Sequence, residues 1–154
     1  MNNSRDRFRV VFSVPKKDRI DDLAWHLMTR GYIITQRKFG RYLSDPPKVA
    51  GYDVDLIGKK GKDYLIGLIV DSDDNFTKEF IEKVEILCAR KTKYTYRPVP
   101  LYLSVATDRL NELRKALSAI SEELRKNIRI HVYTSAQLPS LFSEESQRSK
   151  AFIN

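Results

Sequence analysis

The chain has 154 residues, 42% of them hydrophobic and 31% charged, a balance that excludes a disordered or fibrous chain and fits one globular domain over residues 1–154. The lone cysteine, Cys88, excludes an internal disulfide framework. With no apolar run near the roughly 20 residues of a membrane span and no apolar leader, a cytoplasmic setting without a membrane partner is expected. The 28 Lys and Arg against 20 Asp and Glu give a net charge of +8, concentrated in residues 1–70, which hold 14 basic and 8 acidic side chains against 14 and 12 in residues 71–154. Such an excess suits phosphate-bearing partners and is equally what a soluble surface carries.

In chain order, Phe8 to Val14 reads as a short strand ended by Pro15. Asp18 is a plausible cap for a first helix, in which Ile20, Leu23, Ala24, Leu27 and Met28 form one apolar stripe, with Gly31 at its stop. Tyr32 to Thr35 reads as a strand, and Gly40, Pro46, Pro47 and Gly51 make 40–51 a loop. A hairpin follows: Tyr52 to Ile57 and Tyr64 to Val70 are strands joined by Gly58-Lys59-Lys60-Gly61-Lys62, the second apolar enough to be buried on both faces. A second helix carries Phe80, Ile81, Val84, Leu87 and Cys88 behind a Thr77 cap and ends near Lys93. Val99 to Val105 is a buried strand, Asp108 caps a long helix carrying Leu110, Leu113, Leu117, Ile120 and Leu124, and Ile128 to Tyr133 is a last strand. Residues 135–142 read as a short helix and 143–154 as a tail. The order predicts an α/β fold, a mixed β-sheet flanked by helices.

In the first hairpin strand Asp53 and Asp55 are two residues apart, so strand periodicity turns both to one face and Val54 and Leu56 to the other. Paired carboxylates can hold a hard cation such as Mg²⁺, and a solvated strand edge tolerates them equally. Three clusters mix cations with aromatics: Arg37, Lys38, Phe39, Arg41 and Tyr42 before the hairpin, Lys59, Lys60 and Lys62 in its turn, and Arg90, Lys91, Lys93, Tyr94, Tyr96 and Arg97 after the second helix. Such mixtures grip phosphates and stack on bases. Asp71, Asp73, Asn75 and Glu82 mimic the spacing of a calcium loop, but Phe76 stands where its turn needs glycine.

The order helix, three strands, helix, strand, with Gly51-Tyr52-Asp53-Val54-Asp55-Leu56-Ile57 in the second strand, resembles the PD-(D/E)XK nuclease superfamily over residues 18–105. The stretch from Phe76 to Thr134 is similar to the distal part of uncharacterised archaeal proteins with this fold. The resemblance implies a restriction-endonuclease-like core, with residues 8–14 as an extra N-terminal strand and 106–134 as a C-terminal helix-strand extension. It also implies metal ligands from the first helix, the second strand and a Glu-X-Lys on the third. Asp55, with Asp53 beside it, matches the strand-two Asp, and the first helix offers Asp18, Asp21 or Asp22, of which Asp22 completes the remnant set. Gly67 and Ile69 stand where the third-strand Glu and Lys belong, and neither can bind a metal or stabilise charge.

The sequence therefore predicts a catalytically degenerate nuclease-like protein that binds nucleic acid, DNA first, or serves in assembly. Arg37, Lys38, Arg41, Lys59, Lys60 and Lys62 are the candidate contacts, and no cofactor is expected. The alternatives are a Mg²⁺-dependent nuclease with an unconventional site, using Asp53 and Asp55 as metal ligands, and a protein-interaction subunit. The last would be a homodimer paired through the strand carrying Arg5, Arg7 and Arg9.

Overall fold

The computed structural model describes residues 14–71 and 75–133. The expected strand at 8–14 (Val14 apart), the helix at 135–142, the tail, the Arg5–Arg9 pairing strand and Asp73 of the calcium-loop pattern lie outside the described residues. Within them the elements are α1 (Lys16–Thr29), β1 (Ile33–Arg37), β2 (Leu56–Lys60), β3 (Asp63–Ile69) and α2 (Lys78–Cys88). After these come β4 (Leu101–Ala106), a 3₁₀ turn (Thr107–Arg109), α3 (Leu110–Leu117), α4 (Glu122–Arg125) and β5 (Ile128–Tyr133). The strands form one mixed sheet in the order β1-β2-β3-β4-β5. The pairs β1-β2 and β2-β3 are antiparallel, while β3-β4 and β4-β5 are parallel.

Two hydrophobic clusters hold the layers together, one on each face of the sheet. The predicted α1 stripe of Ile20, Leu23, Ala24 and Leu27 packs on Ile34, Leu56, Leu65, Ile69 and Tyr102. On the other face Ile66, Leu68 and Val70 meet Val84, Leu87 and Cys88 of α2 and Leu113 and Leu117 of α3. The period-two alternation of β3 thus feeds both faces, which is why its run is apolar throughout. Each fully buried Leu or Ile contributes about 1.5–3 kcal/mol. Thr77 caps α2 as predicted, its hydroxyl accepting from the Phe80 amide at 3.4 Å. Burial raises the Cys88 thiol pKa and so keeps it inert.

The second helix ends at Cys88, short of the expected Lys93, and three further expectations need correction. The hairpin strand begins at Leu56 rather than Tyr52, and its turn contracts to Gly61-Lys62, with Lys60 paired to Asp63 and Gly61 at φ 61°. Gly58, read as a turn residue, lies inside β2, where an added Cβ would stand 3.2 Å from the Leu65 side chain. Asp53 and Asp55 therefore precede the strand, and Val54 and Leu56 enter opposite clusters instead of sharing a face. Second, α1 starts at Lys16 after Pro15, so Asp18 sits in its first turn rather than capping it. Third, the long helix after β4 is broken: α3 ends at Leu117 and Ser121 caps α4 by accepting from Leu124, a local hydroxyl-backbone bond that competes with helix continuation. Ile120 stays buried across the break, so the apolar spacing survives it. Asp108 lies in the 3₁₀ turn. No helix among the described residues is long and apolar enough to cross a membrane.

Gly67 is the more tightly enclosed of the two strand glycines. A Cβ there would stand 2.6 Å from Leu56 Cγ and 3.1 Å from Leu23 Cδ2, under α1. Gly67→Ala should destabilise the protein by about 1–3 kcal/mol, read as a lower urea midpoint at unchanged m-value. A neutral result would mean that α1 is not seated on β3 as described.

Candidate functional site

A cleft of about 340 Å³ opens where the C-terminal end of β3 meets the start of α2, lined by Asp53, Asp55, Asp71 and Glu79 together with Lys16 and Lys83. Its deepest group is Asp55, only 1% exposed. The backbone fixes this residue on both sides: its amide donates to the Gly67 carbonyl at 3.0 Å and its carbonyl accepts from the Lys38 amide at 2.9 Å. The carboxylate is also engaged. Oδ2 accepts from the Ile69 amide at 2.7 Å, and Oδ1 stands 3.3 Å from the Lys16 ammonium and 3.7 Å from that of Lys38.

Asp71, just past β3, lies 3.8 Å from Lys16 and 3.6 Å from Arg19. Arg19 is buried, donates to the Val70 carbonyl and stacks over Tyr133 at 4.9 Å. Burial pushes the Tyr133 hydroxyl pKa up to about 12. The Asp71 carbonyl accepts from Arg109 at 2.9 Å, and that guanidinium covers Phe76 at 4.6 Å, tying the end of β3 to the 3₁₀ turn and the approach to α2. Arg19 is a residue that the sequence alone does not single out. Its signal was position, since it precedes Leu23 by one helical turn on the buried stripe.

The remnant acidic set is not assembled. Asp53 is exposed while Asp55 is buried. Asp22 turns to the far strand of the sheet, where its Oδ2 lies 2.6 Å from Nε2 of His131. The ring of His131 stacks on that of His26 at 4.3 Å, and His26 accepts from Arg30 Nε at 3.0 Å. The two histidines, 105 positions apart in sequence, thus share one cluster. Burial first, then His131 and Arg30, depress the His26 pKa below 6.5. Asp21 pairs with Arg37 at 2.5 Å. Among the described residues no three His, Cys, Asp or Glu side chains converge as a metal site.

The predicted basic contacts divide between the two ends of the sheet. Arg37 and Lys38 sit at the Asp55 end, each facing a carboxylate, while Arg41 is exposed over Tyr42 at 5.5 Å. Lys59, Lys60 and Lys62 lie at the hairpin end, away from Asp55. Nor do they share a face: Lys60 points to the α1 side, donating to the Arg30 carbonyl at 3.1 Å, while Lys59 covers Tyr64 on the α2 side at 5.2 Å. Lys83 on α2 lines the Asp55 cleft, and Lys91, beyond the end of that helix, lies at the hairpin end.

Removing the Asp55 carboxylate would leave the buried Ile69 amide without its acceptor. Asp55→Ala should therefore cost about 1–3 kcal/mol, while Asp53→Ala stays within about 0.5 kcal/mol, both measured by urea unfolding. Equal effects would contradict the division of roles. For His26, the unfolded chain takes up its proton near pH 6.5 while the folded chain resists it, so stability falls as pH drops below 6.5. His26→Gln should flatten that part of the stability profile, and an unchanged profile would show that the ring is not desolvated. Comparison of the chain with protein-family models, with curated proteins and with solved structures finds no match, so the reading of the site rests on its own geometry.

Proposed function

We propose that this chain is a catalytically degenerate nuclease-like protein that binds nucleic acid without cutting it. In favour of the resemblance is the layout: one helix, three antiparallel strands, a second helix and a fourth strand parallel to the third, with Asp55 at the head of the second strand. On this reading β4 completes a restriction-endonuclease-like core, and the 3₁₀ turn, α3, α4 and β5 are an extension of it.

The observation that carries the loss of chemistry is the state of Asp55. Its outer oxygen faces two ammonium groups, at 3.3 and 3.7 Å, which a divalent cation would have to displace against their mutual attraction and its own repulsion. A metal also needs further ligands, and Gly67 has neither a side chain nor room for one between Leu56 and Leu23. The residues present therefore do not fit the Mg²⁺ that an active member would use. What remains is a basic surface of net charge +8, suited to phosphates, with DNA as the first partner that the resemblance suggests. One observation favours the competing reading of an unconventional nuclease: Asp53, Asp55, Asp71 and Glu79 do line one cleft with Lys16 and Lys83.

Two assays decide between them. The full chain incubated with single-stranded, duplex and branched DNA and with RNA, in Mg²⁺ or Mn²⁺, should cut none above background, whereas cleavage abolished by Asp55→Ala would establish the nuclease. Filter binding should give an affinity that falls steeply with salt. Lys59→Ala with Lys62→Ala should lower that slope by about one unit per lost phosphate contact, and Asp53→Ala should leave binding unchanged or slightly stronger. Absence of binding at low salt would reject the nucleic-acid reading.

A further inference from the structure

A second cleft, of about 460 Å³, lies at the opposite end of the sheet from Asp55. Its floor is apolar: Ile57 and Ile66, partners across β2 and β3, with Val49 and Val99 beside them. Its rim is cationic, formed by Lys62, Arg90, Lys91 and Lys93, with no carboxylate in the lining. Among the described residues none of these four cations has an ion-pair partner. Asp63, at the start of β3, is instead held by Arg97 at 2.8 Å.

The wall of the cleft is a small hairpin loop after α2. Val99 donates to the Arg90 carbonyl and Thr92 to that of Arg97, at 2.9 and 2.8 Å, leaving Lys93 to Tyr96 as the tip. Tyr96 adopts φ 52°, an unfavourable backbone conformation for a bulky residue. It is held there by its amide bond to the Thr92 carbonyl and by the neighbouring Arg97 amide bond to the Thr92 hydroxyl. The tip leaves Tyr94 87% and Tyr96 75% exposed, with the Lys93 ammonium 5.9 Å from the centre of the Tyr94 ring. Across the cleft Tyr64 is 40% exposed beneath the Lys59 ammonium.

We infer that this cleft binds a single strand of nucleic acid, with bases on the Tyr94 and Tyr64 rings over the apolar floor and phosphates on Arg90, Lys91, Lys93 and Lys62. The inference rests on the nucleic-acid reading above and adds the strand type and the face. A duplex stacks its base faces on each other and offers this floor only phosphate and sugar, whereas an unpaired strand offers flat apolar rings and negative charge together. Four unpaired cations exceed the charge of a free mononucleotide, so a strand suits the rim better. An acidic protein segment would leave the exposed rings without planar partners.

The test is fluorescence anisotropy on the full chain with a labelled 15-nucleotide oligothymidylate, its RNA counterpart and a duplex of equal length. The single strands should bind more tightly than the duplex. Tyr94→Ala should weaken them about tenfold, with Tyr94→Phe retaining the affinity, since stacking needs the ring and not the hydroxyl. Arg90→Ala combined with Lys93→Ala should lower the salt slope by about 0.7 per phosphate contact. Adenosine monophosphate should not displace the oligonucleotide. Tyr94 is exposed, so its variants keep the fold, which circular dichroism verifies.

Binding that survives both the Tyr94 and the Arg90-Lys93 changes but is lost in Arg41→Ala would overturn this site while leaving the nucleic-acid reading intact. Preference for duplex would overturn the strand assignment, and ready displacement by adenosine monophosphate would replace it with a nucleotide pocket. Failure to bind any of the three nucleic acids at low salt would remove the nucleic-acid reading itself.

Discussion

The arrangement of the sheet end depends on a buried carboxylate. Placing Asp55 out of water costs several kcal/mol unless its oxygens are satisfied, and the groups that satisfy it come from three places: the β3 backbone at Ile69, the first turn of α1 at Lys16, and the residue after β1 at Lys38. One side chain thereby fixes the start of α1, the end of β1 and the end of β3 relative to one another. The presence of Lys16 in a helical first turn, where the helix dipole disfavours a cation, follows from this demand. Asp55 and Asp71 supply the negative charge that the helix terminus withholds.

The topology then separates two chemistries along the strand direction. At one end the loops leaving β3 and approaching α2 gather carboxylates, with cations packed between them. At the other end the hairpin turn and the loop after α2 gather cations around a cleft whose lining holds no carboxylate, Asp63 outside it being taken by Arg97. A net charge of +8 is therefore not spread evenly over the molecule. Lys16 and Lys38 at the Asp55 end face internal counterions, whereas among the described residues the cations that rim the hairpin-end cleft have none.

Much of the layered architecture was legible because it rests on local periodicity. The α1 stripe of Ile20, Leu23, Ala24 and Leu27, the Thr77 cap and the two-sided burial of β3 are each encoded within a few neighbouring residues. The offset of β2 was hidden because Gly58, which reads as a turn residue, is present for lack of space beside Leu65. No local pattern reveals that kind of reason. Of the candidate site, the two-residue spacing from Asp53 draws attention to Asp55, but nothing local marks its lysine partners, since Lys16 and Lys38 meet it only after the sheet has formed. The pairing of Asp22 with His131 spans 109 positions, so the helix appeared to offer a free acid where the fold has already committed it.

Gly67 carries a consequence for how such a surface can change over time. The space that its missing side chain leaves is filled by Leu56 from the adjacent strand and Leu23 from the helix above, so three positions far apart in the chain have become mutually dependent. A carboxylate at position 67 would need both leucines to shrink, and shrinking either one first opens a cavity in a core that costs about 2–5 kcal/mol per Leu→Ala change. Every order of single substitutions therefore begins with a loss of stability, by crowding or by a void. The packing holds position 67 to glycine, and change is left to the exposed loops, where a substitution does not have to be matched by two others.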